Sequence, residues 1–135
     1  MKHSILAFSI LLAAIWLSCE KKMSCTDFKT GTFLVANDST FVNAQKVIRT
    51  ENLQQQISPK GDTLFAKVRW LNDCSYILTF DKSKMHLNSF QINVNSKGGI
   101  LVEYGQPTGN VMPYLAVIKG KTKTQTIPGY IKKLN

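Results

Sequence analysis

Histidine and acidic side chains are scarce in this chain. Of 135 residues, 2 are histidine and 8 are aspartate or glutamate. His3 lies in an N-terminal stretch read below as removed, which leaves His86 in a turn-like, solvated segment. One such histidine offers neither a Ser-His-Asp triad nor a multi-histidine metal site. The acids Glu20, Asp27, Asp38, Glu51, Asp62, Asp73, Asp81 and Glu103 are scattered, mostly in turns. None pairs in sequence as a glycosidase couple, although acids distant in sequence can meet in space. Gly98-Gly99 lacks the lysine and helix that a phosphate-binding loop requires, so it reads as a turn. The longest apolar run, Ile5 to Leu17, is 13 residues, against about 20 for a membrane-spanning helix. Only 3 cysteines are present, and with His86 they show no metal-ligand spacing. No catalytic set, cofactor or metal is expected, and the chain reads as a non-enzyme.

What is present begins at the N-terminus. Met1-Lys2-His3, the apolar run and Ser18-Cys19-Glu20-Lys21-Lys22 form a secretory pattern. The segment Ile15-Trp16-Leu17-Ser18-Cys19 resembles a bacterial lipoprotein signal, with Trp16 where that family usually has leucine. The resemblance implies diacylation of Cys19, removal of residues 1–18 and acylation of the new amino terminus. Two or more acyl chains hold firmly, each buried methylene contributing about 0.8 kcal/mol. Lys21 and Lys22 would then lie at anionic headgroups. The alternative is an ordinary signal peptide cut nearby, with Cys19 incidental.

With Cys19 occupied by lipid, Cys25 and Cys74 remain as a pair in an oxidising compartment. A disulfide between them would constrain the unfolded chain by roughly 4 kcal/mol in the loop-entropy account. Two free buried thiols are the alternative. Removing residues 1–18 from 135 leaves 117, enough for one domain with its own core. The chain therefore divides into a signal peptide (1–18), a lipidated tether (19–24) and one domain (25–135).

Within that domain the dominant signal is alternation with period two. Leu64, Ala66, Val68 and Trp70 share one face of a strand; Tyr76, Leu78 and Phe80 share another; Phe90, Ile92 and Val94 alternate with Gln91, Asn93 and Asn95. Such patterns indicate half-buried antiparallel strands. Turn chemistry falls between them at Asn37-Asp38-Ser39, Pro59-Lys60-Gly61-Asp62, Asn72-Asp73, Ser96-Lys97-Gly98-Gly99 and Pro107-Thr108-Gly109-Asn110. Strands are expected at about 29–36, 40–49, 52–57, 63–70, 74–80, 89–95, 100–104, 112–119 and 124–133, with one short helical turn in 81–88 and no long amphipathic helix. The expected fold is all-β: an antiparallel meander of eight or nine strands, closed as a small barrel or folded as a two-sheet sandwich.

Two motifs carry a further resemblance. Cys25-Thr26-Asp27-Phe28-Lys29-Thr30-Gly31-Thr32-Phe33 and Trp70-Leu71-Asn72-Asp73-Cys74-Ser75-Tyr76, with Ile48-Arg49 between them, resemble a group of small, functionally uncharacterised lipoproteins of Bacteroidota. The likeness runs from the signal to about residue 80. Some members of that group carry a DNA topoisomerase IV label, for which an exported domain of this size has neither room nor a catalytic-tyrosine context. Gly31 beside Phe33 also parallels the glycine and aromatic near the first strand of lipocalin-like barrels, a likeness of fold alone. Read physically, Gly31 would let another backbone approach. Trp70 would fill one end of the core, and Asn72-Asp73 would turn the chain to bring Cys74 near Cys25.

After signal removal, 16 lysines and arginines face 8 acids, a formal +8. Such a surface favours anionic partners, whether glycan, lipid headgroup or acidic protein. Nucleic acid is not expected for an exported domain. Lys119, Lys121 and Lys123 lie on one face of a strand or in a turn, and Lys132-Lys133 follow; these read as solvated charge that discourages strand addition. The functional expectation is a lipid-anchored, non-enzymatic binding or structural module of the cell envelope, attached to a bacterial membrane, the outer one being favoured. The alternatives are a hydrolase inhibitor and a carrier of a small apolar ligand. A basic inhibitor would be repelled by a basic lysozyme. A filled interior would favour surface recognition, and an apolar cavity would favour ligand carriage.

Overall fold

The structure, a computed structural model, describes residues 21–135. The expected signal peptide and the lipidated Cys19 lie outside the described residues. Cys25–Phe28 form a 3-10 turn, with Ser24 and Asp27 capping each other. Eight strands follow: β1 (Gly31–Ala36), β2 (Gln45–Arg49), β3 (Leu53–Ile57), β4 (Thr63–Asn72), β5 (Ser75–Phe80), β6 (Ile100–Tyr104), β7 (Val111–Lys119) and β8 (Thr124–Lys133). One α-helix among the described residues, α1 (Ser89–Ser96), lies between β5 and β6. Each strand pairs antiparallel with its neighbour in sequence, and β8 returns to pair with β1, so the sheet closes into a barrel. Of the two expected architectures it is the barrel that forms.

The register carries the expected alternation inward. Trp70 pairs with Tyr76, Val68 with Leu78 and Ala66 with Phe80, so their side chains share the interior face. Around the ring the same face continues through Val102 and Tyr104, Met112 and Ile131, Phe33 and Val47, which form one buried cluster with Cys25 and Phe28. Closure also removes the free sheet edges that exposed lysines were expected to guard. Lys121 and Lys123 instead lie in the β7–β8 turn, where the Gly120 N–H donates to the Lys123 carbonyl at 2.9 Å.

Three expectations are corrected. The stretch 89–95 is helical, not a ninth strand. Asn88 accepts from the Gln91 N–H at 2.9 Å, and Gln91 Oε1 accepts from the Asn88 N–H at 3.0 Å, a reciprocal cap that starts the helix. Gly99 at φ +92° ends it, its N–H bonding back to the Val94 carbonyl. The helix turns Gln91 and Val94 inward and leaves Phe90 (54% exposed) and Ile92 (57% exposed) outside, so the apolar alternation there does not mark a strand face. The second strand begins at Gln45 rather than at 40. Phe41 and Asn43 both stand at φ 57° in the preceding loop, a conformation that cannot continue a strand. Gly31 is needed for its φ of +130° rather than for a close approach, since a Cβ there would meet nothing nearer than the Asn135 carbonyl at 3.5 Å.

The up-and-down order gives the barrel two unlike ends. At one, the floor, lie the 3-10 turn, the β2–β3, β4–β5 and β6–β7 turns and the end of β8. On the other side, the mouth, lie the β1–β2, β3–β4 and β7–β8 connections and the α1 segment. Cys25 and Cys74 meet at the floor with their sulfurs at bonding distance, 2.06 Å. The Asn72 carboxamide accepts from the Cys74 N–H at 2.8 Å, which is how Asn72-Asp73 aims that cysteine. Asp73 also pairs with Lys29 at 2.8 Å, fastening the β4–β5 turn to the segment after the 3-10 turn.

Candidate functional site

Val47 and Arg49 alternate with Lys46 and Ile48 on β2, so the strand that buries Val47 also sends Arg49 into the barrel. Its guanidinium lies just above the floor with the residue only 3% exposed. Nε donates to Gln54 Oε1 at 2.8 Å. Nη1 donates to the Phe28 carbonyl at 2.9 Å and to Tyr104 Oη at 2.8 Å, and Nη2 donates to Tyr76 Oη at 2.9 Å. Tyr104 Oη in turn donates to the Phe28 carbonyl at 3.0 Å. The cation also faces aromatic rings, with Cζ 4.7 Å from the Tyr76 centroid, 5.2 Å from Phe33 and 6.0 Å from Trp70. Trp70 packs on Tyr76 at 4.5 Å between centroids and on Tyr104 at 6.1 Å, filling the floor end as expected.

No carboxylate completes this set among the described residues: every hydrogen-bond partner of Arg49 is a neutral oxygen. Burial alone would lower the arginine's pKa, but the Tyr76 and Tyr104 oxygens outweigh it and hold the group above its ordinary value. Burial pushes Tyr104 far up, and it pushes Tyr114 up to about 12. Both phenols are therefore neutral at physiological pH, and the guanidinium is a buried positive charge with no carboxylate among its hydrogen-bond partners.

Above this layer the interior is not filled. A cup of about 160 Å³ is lined by Gln54, Gln56, Leu64, Ala66, Leu78, Phe80 and Ile100, from β3, β4, β5 and β6. Its apolar wall consists of the mouth-side residues of the alternating faces. Its polar wall is a line of amides. Gln54 Nε2 donates to Gln56 Oε1 at 3.4 Å, and Gln56 Nε2 donates to Gln45 Oε1. The direction of this line is dictated by Arg49. Arginine has only donors, so the Gln54 atom facing it is the oxygen and the amide nitrogen faces upward. Gln56 repeats that orientation, its nitrogen passing the line on to Gln45, so the amides run oxygen to nitrogen from Arg49 toward the mouth. Larger depressions of about 580 and 600 Å³ flank residues 21–26 at the floor end. They are shaped by the N-terminal strap and not by the barrel interior.

Among the expected site residues, the structure brings Cys25 and Cys74 together, while Cys19 lies outside the described residues. Arg49, Gln54, Gln56 and Tyr104 were not singled out as functional by sequence reasoning. The inward parity of Arg49 with Val47 was the available signal, and it is masked because arginine in a strand ordinarily faces water. Among the described residues, no three histidine, cysteine or acidic side chains cluster as metal ligands. Compared with protein-family models, curated proteins and solved structures, the chain matches none.

Proposed function

We propose that this chain is a lipid-anchored, non-enzymatic binding module of the bacterial cell envelope, and that it takes a small apolar group into the mouth of its barrel. The cup between the Arg49 layer and the mouth carries this reading. A filled barrel would have left only its outer surface for recognition, whereas this one is filled at the floor and hollow above it. The cup volume is close to that of an engineered apolar cavity of about 150 Å³ that holds benzene. It therefore fits one ring or a short alkyl group rather than a whole lipid.

The anchor gives the cup a direction. Cys25 follows Cys19 by six residues, roughly 20 Å of extended chain, and joins the barrel at the floor. A lipid on Cys19 thus puts the floor against the bilayer and turns the mouth away from it, toward soluble partners. Mass spectrometry of membrane-extracted protein checks the anchor: an unmodified Cys19 sulfur would remove that part of the reading. Binding is checked by titrating benzene into the protein while following methyl resonances. Shifts are expected at Leu64, Leu78 and Ile100 and should vanish in Ala66→Leu, which fills the cup. Unchanged spectra would sink the binding role.

A further inference from the structure

We propose that the cup is a receptor for a small carboxylate with a short apolar body. The carboxylate would accept from the Gln54 and Gln56 amides and act, through Gln54, as the missing counter-charge of Arg49. This inference rests on the mouth-binding reading above and adds the chemical class of the ligand.

Charge is the first argument. Arg49 is buried without an acid among its partners, and its four hydrogen bonds all end on neutral oxygens. A buried charge is tolerated when something nearby compensates it, and here neutral dipoles and rings do so with no opposite full charge beside them. None of the residues lining the cup is acidic, so an anion in the cup would meet no repulsion from its walls.

Amide direction is the second. With its oxygen held by Arg49, Gln54 turns its amide nitrogen away from the cation, toward Gln56. One amide hydrogen is used in the long 3.4 Å bond to Gln56, and the other has no hydrogen-bond partner among the described residues. Gln54 is only 6% exposed, so this spare donor is sheltered from bulk water inside a cavity. The neighbouring cation polarises the amide and strengthens it as a donor. A wall of this kind seeks an acceptor: it suits a carboxylate, tolerates an alcohol and repels an ammonium group.

Size and surroundings complete the match. A volume near 160 Å³ holds about six or seven non-hydrogen atoms by comparison with benzene in a similar cavity. Leu64, Ala66, Leu78, Phe80 and Ile100 supply contact for the apolar body. On the mouth side, Lys119 and the β7–β8 turn lysines, Lys121 and Lys123, give a positive approach that raises the encounter rate of anions.

The test compares pentanoate, 1-pentanol and pentylamine, titrated into the purified full chain and followed by calorimetry and by the side-chain amide resonances of Gln54 and Gln56. Pentanoate is expected to bind at least about tenfold more tightly than pentanol, the range of one charge-assisted hydrogen bond, and pentylamine not to bind. Gln54→Leu should bring pentanoate down to the level of pentanol while pentanol binding persists. Gln56→Leu serves the same purpose should the first variant fail to fold. Equal affinity for pentanoate and pentanol would overturn the carboxylate assignment and leave the apolar cup standing. Absence of binding by both, with amide resonances unmoved, would overturn the cup as a binding site and this inference with it.

Discussion

The two halves of the barrel interior are built from the same alternating strands and end up physically opposite. At the floor, large rings, a disulfide and an arginine with four hydrogen bonds interlock. Toward the mouth, the same strands contribute Ala66, Leu78 and Ile100, and the space between them stays open. The difference lies in side-chain volume and in hydrogen-bond density, not in backbone geometry. A closed sheet fixes the radius, and the residues decide whether that radius is filled.

This comparison can be broken or sharpened by experiment. Arg49→Ala should have the largest effect. It removes four hydrogen bonds, strands the Gln54 side-chain oxygen and leaves a hole beneath it, a loss of about 4–5 kcal/mol in urea unfolding. A loss under about 1 kcal/mol would mean that the floor does not depend on the cation. Removing the bridge with Cys25→Ser and Cys74→Ser should cost about 4 kcal/mol, read from the unfolding midpoint against the wild type, with reductant reproducing the effect. Next come two additions of mass. Gly129→Ala would drive a Cβ to 2.4 Å from the Tyr114 ring and should cost about 2–3 kcal/mol. Ala66→Leu at the mouth should change stability by less than about 1 kcal/mol, because the added atoms enter open space. Equal costs for the two would erase the distinction between halves.

A separate effect concerns pH. Burial raises Tyr114 to about 12 in the folded chain, against about 10 when exposed. The folded state prefers the neutral phenol, so this contribution is complete below pH about 10 and is lost as pH rises from there toward about 12. Alkaline unfolding followed by tyrosine absorbance should show that decline, and a titration of Tyr114 near 10 would contradict its burial.

Much of the barrel was legible from side-chain parity. The inward sets on β4 and β5 and the turn at Asn72-Asp73 follow from period two and turn chemistry, and the pairing of Cys25 with Cys74 follows from the cysteine count once Cys19 is set aside. The helix α1 was not, because Phe90, Ile92 and Val94 alternate as a strand would. Asn88 and Gln91 hold the competing signal, a reciprocal cap that outweighs three apolar residues of which two stay exposed. The candidate site was the least legible part. Burying Arg49 depends on Tyr76, Tyr104 and Phe28 converging from three distant segments, and no local pattern encodes that convergence. The hollow above it depends on Ala66 facing Gln54 across a register that only the folded sheet reveals.

Because β8 is the strand that pairs with β1, the ring has a single seam between segments almost a full domain length apart. Seven hairpin-type pairings can zip one after another, but the seam must wait for the last ten residues of the sheet, Thr124–Lys133. Until then both β1 and β7 present raw backbone along one side, the kind of margin on which chains stack into aggregates. A premature stop before Thr124 should therefore yield a sticky open ribbon and not a slightly smaller barrel.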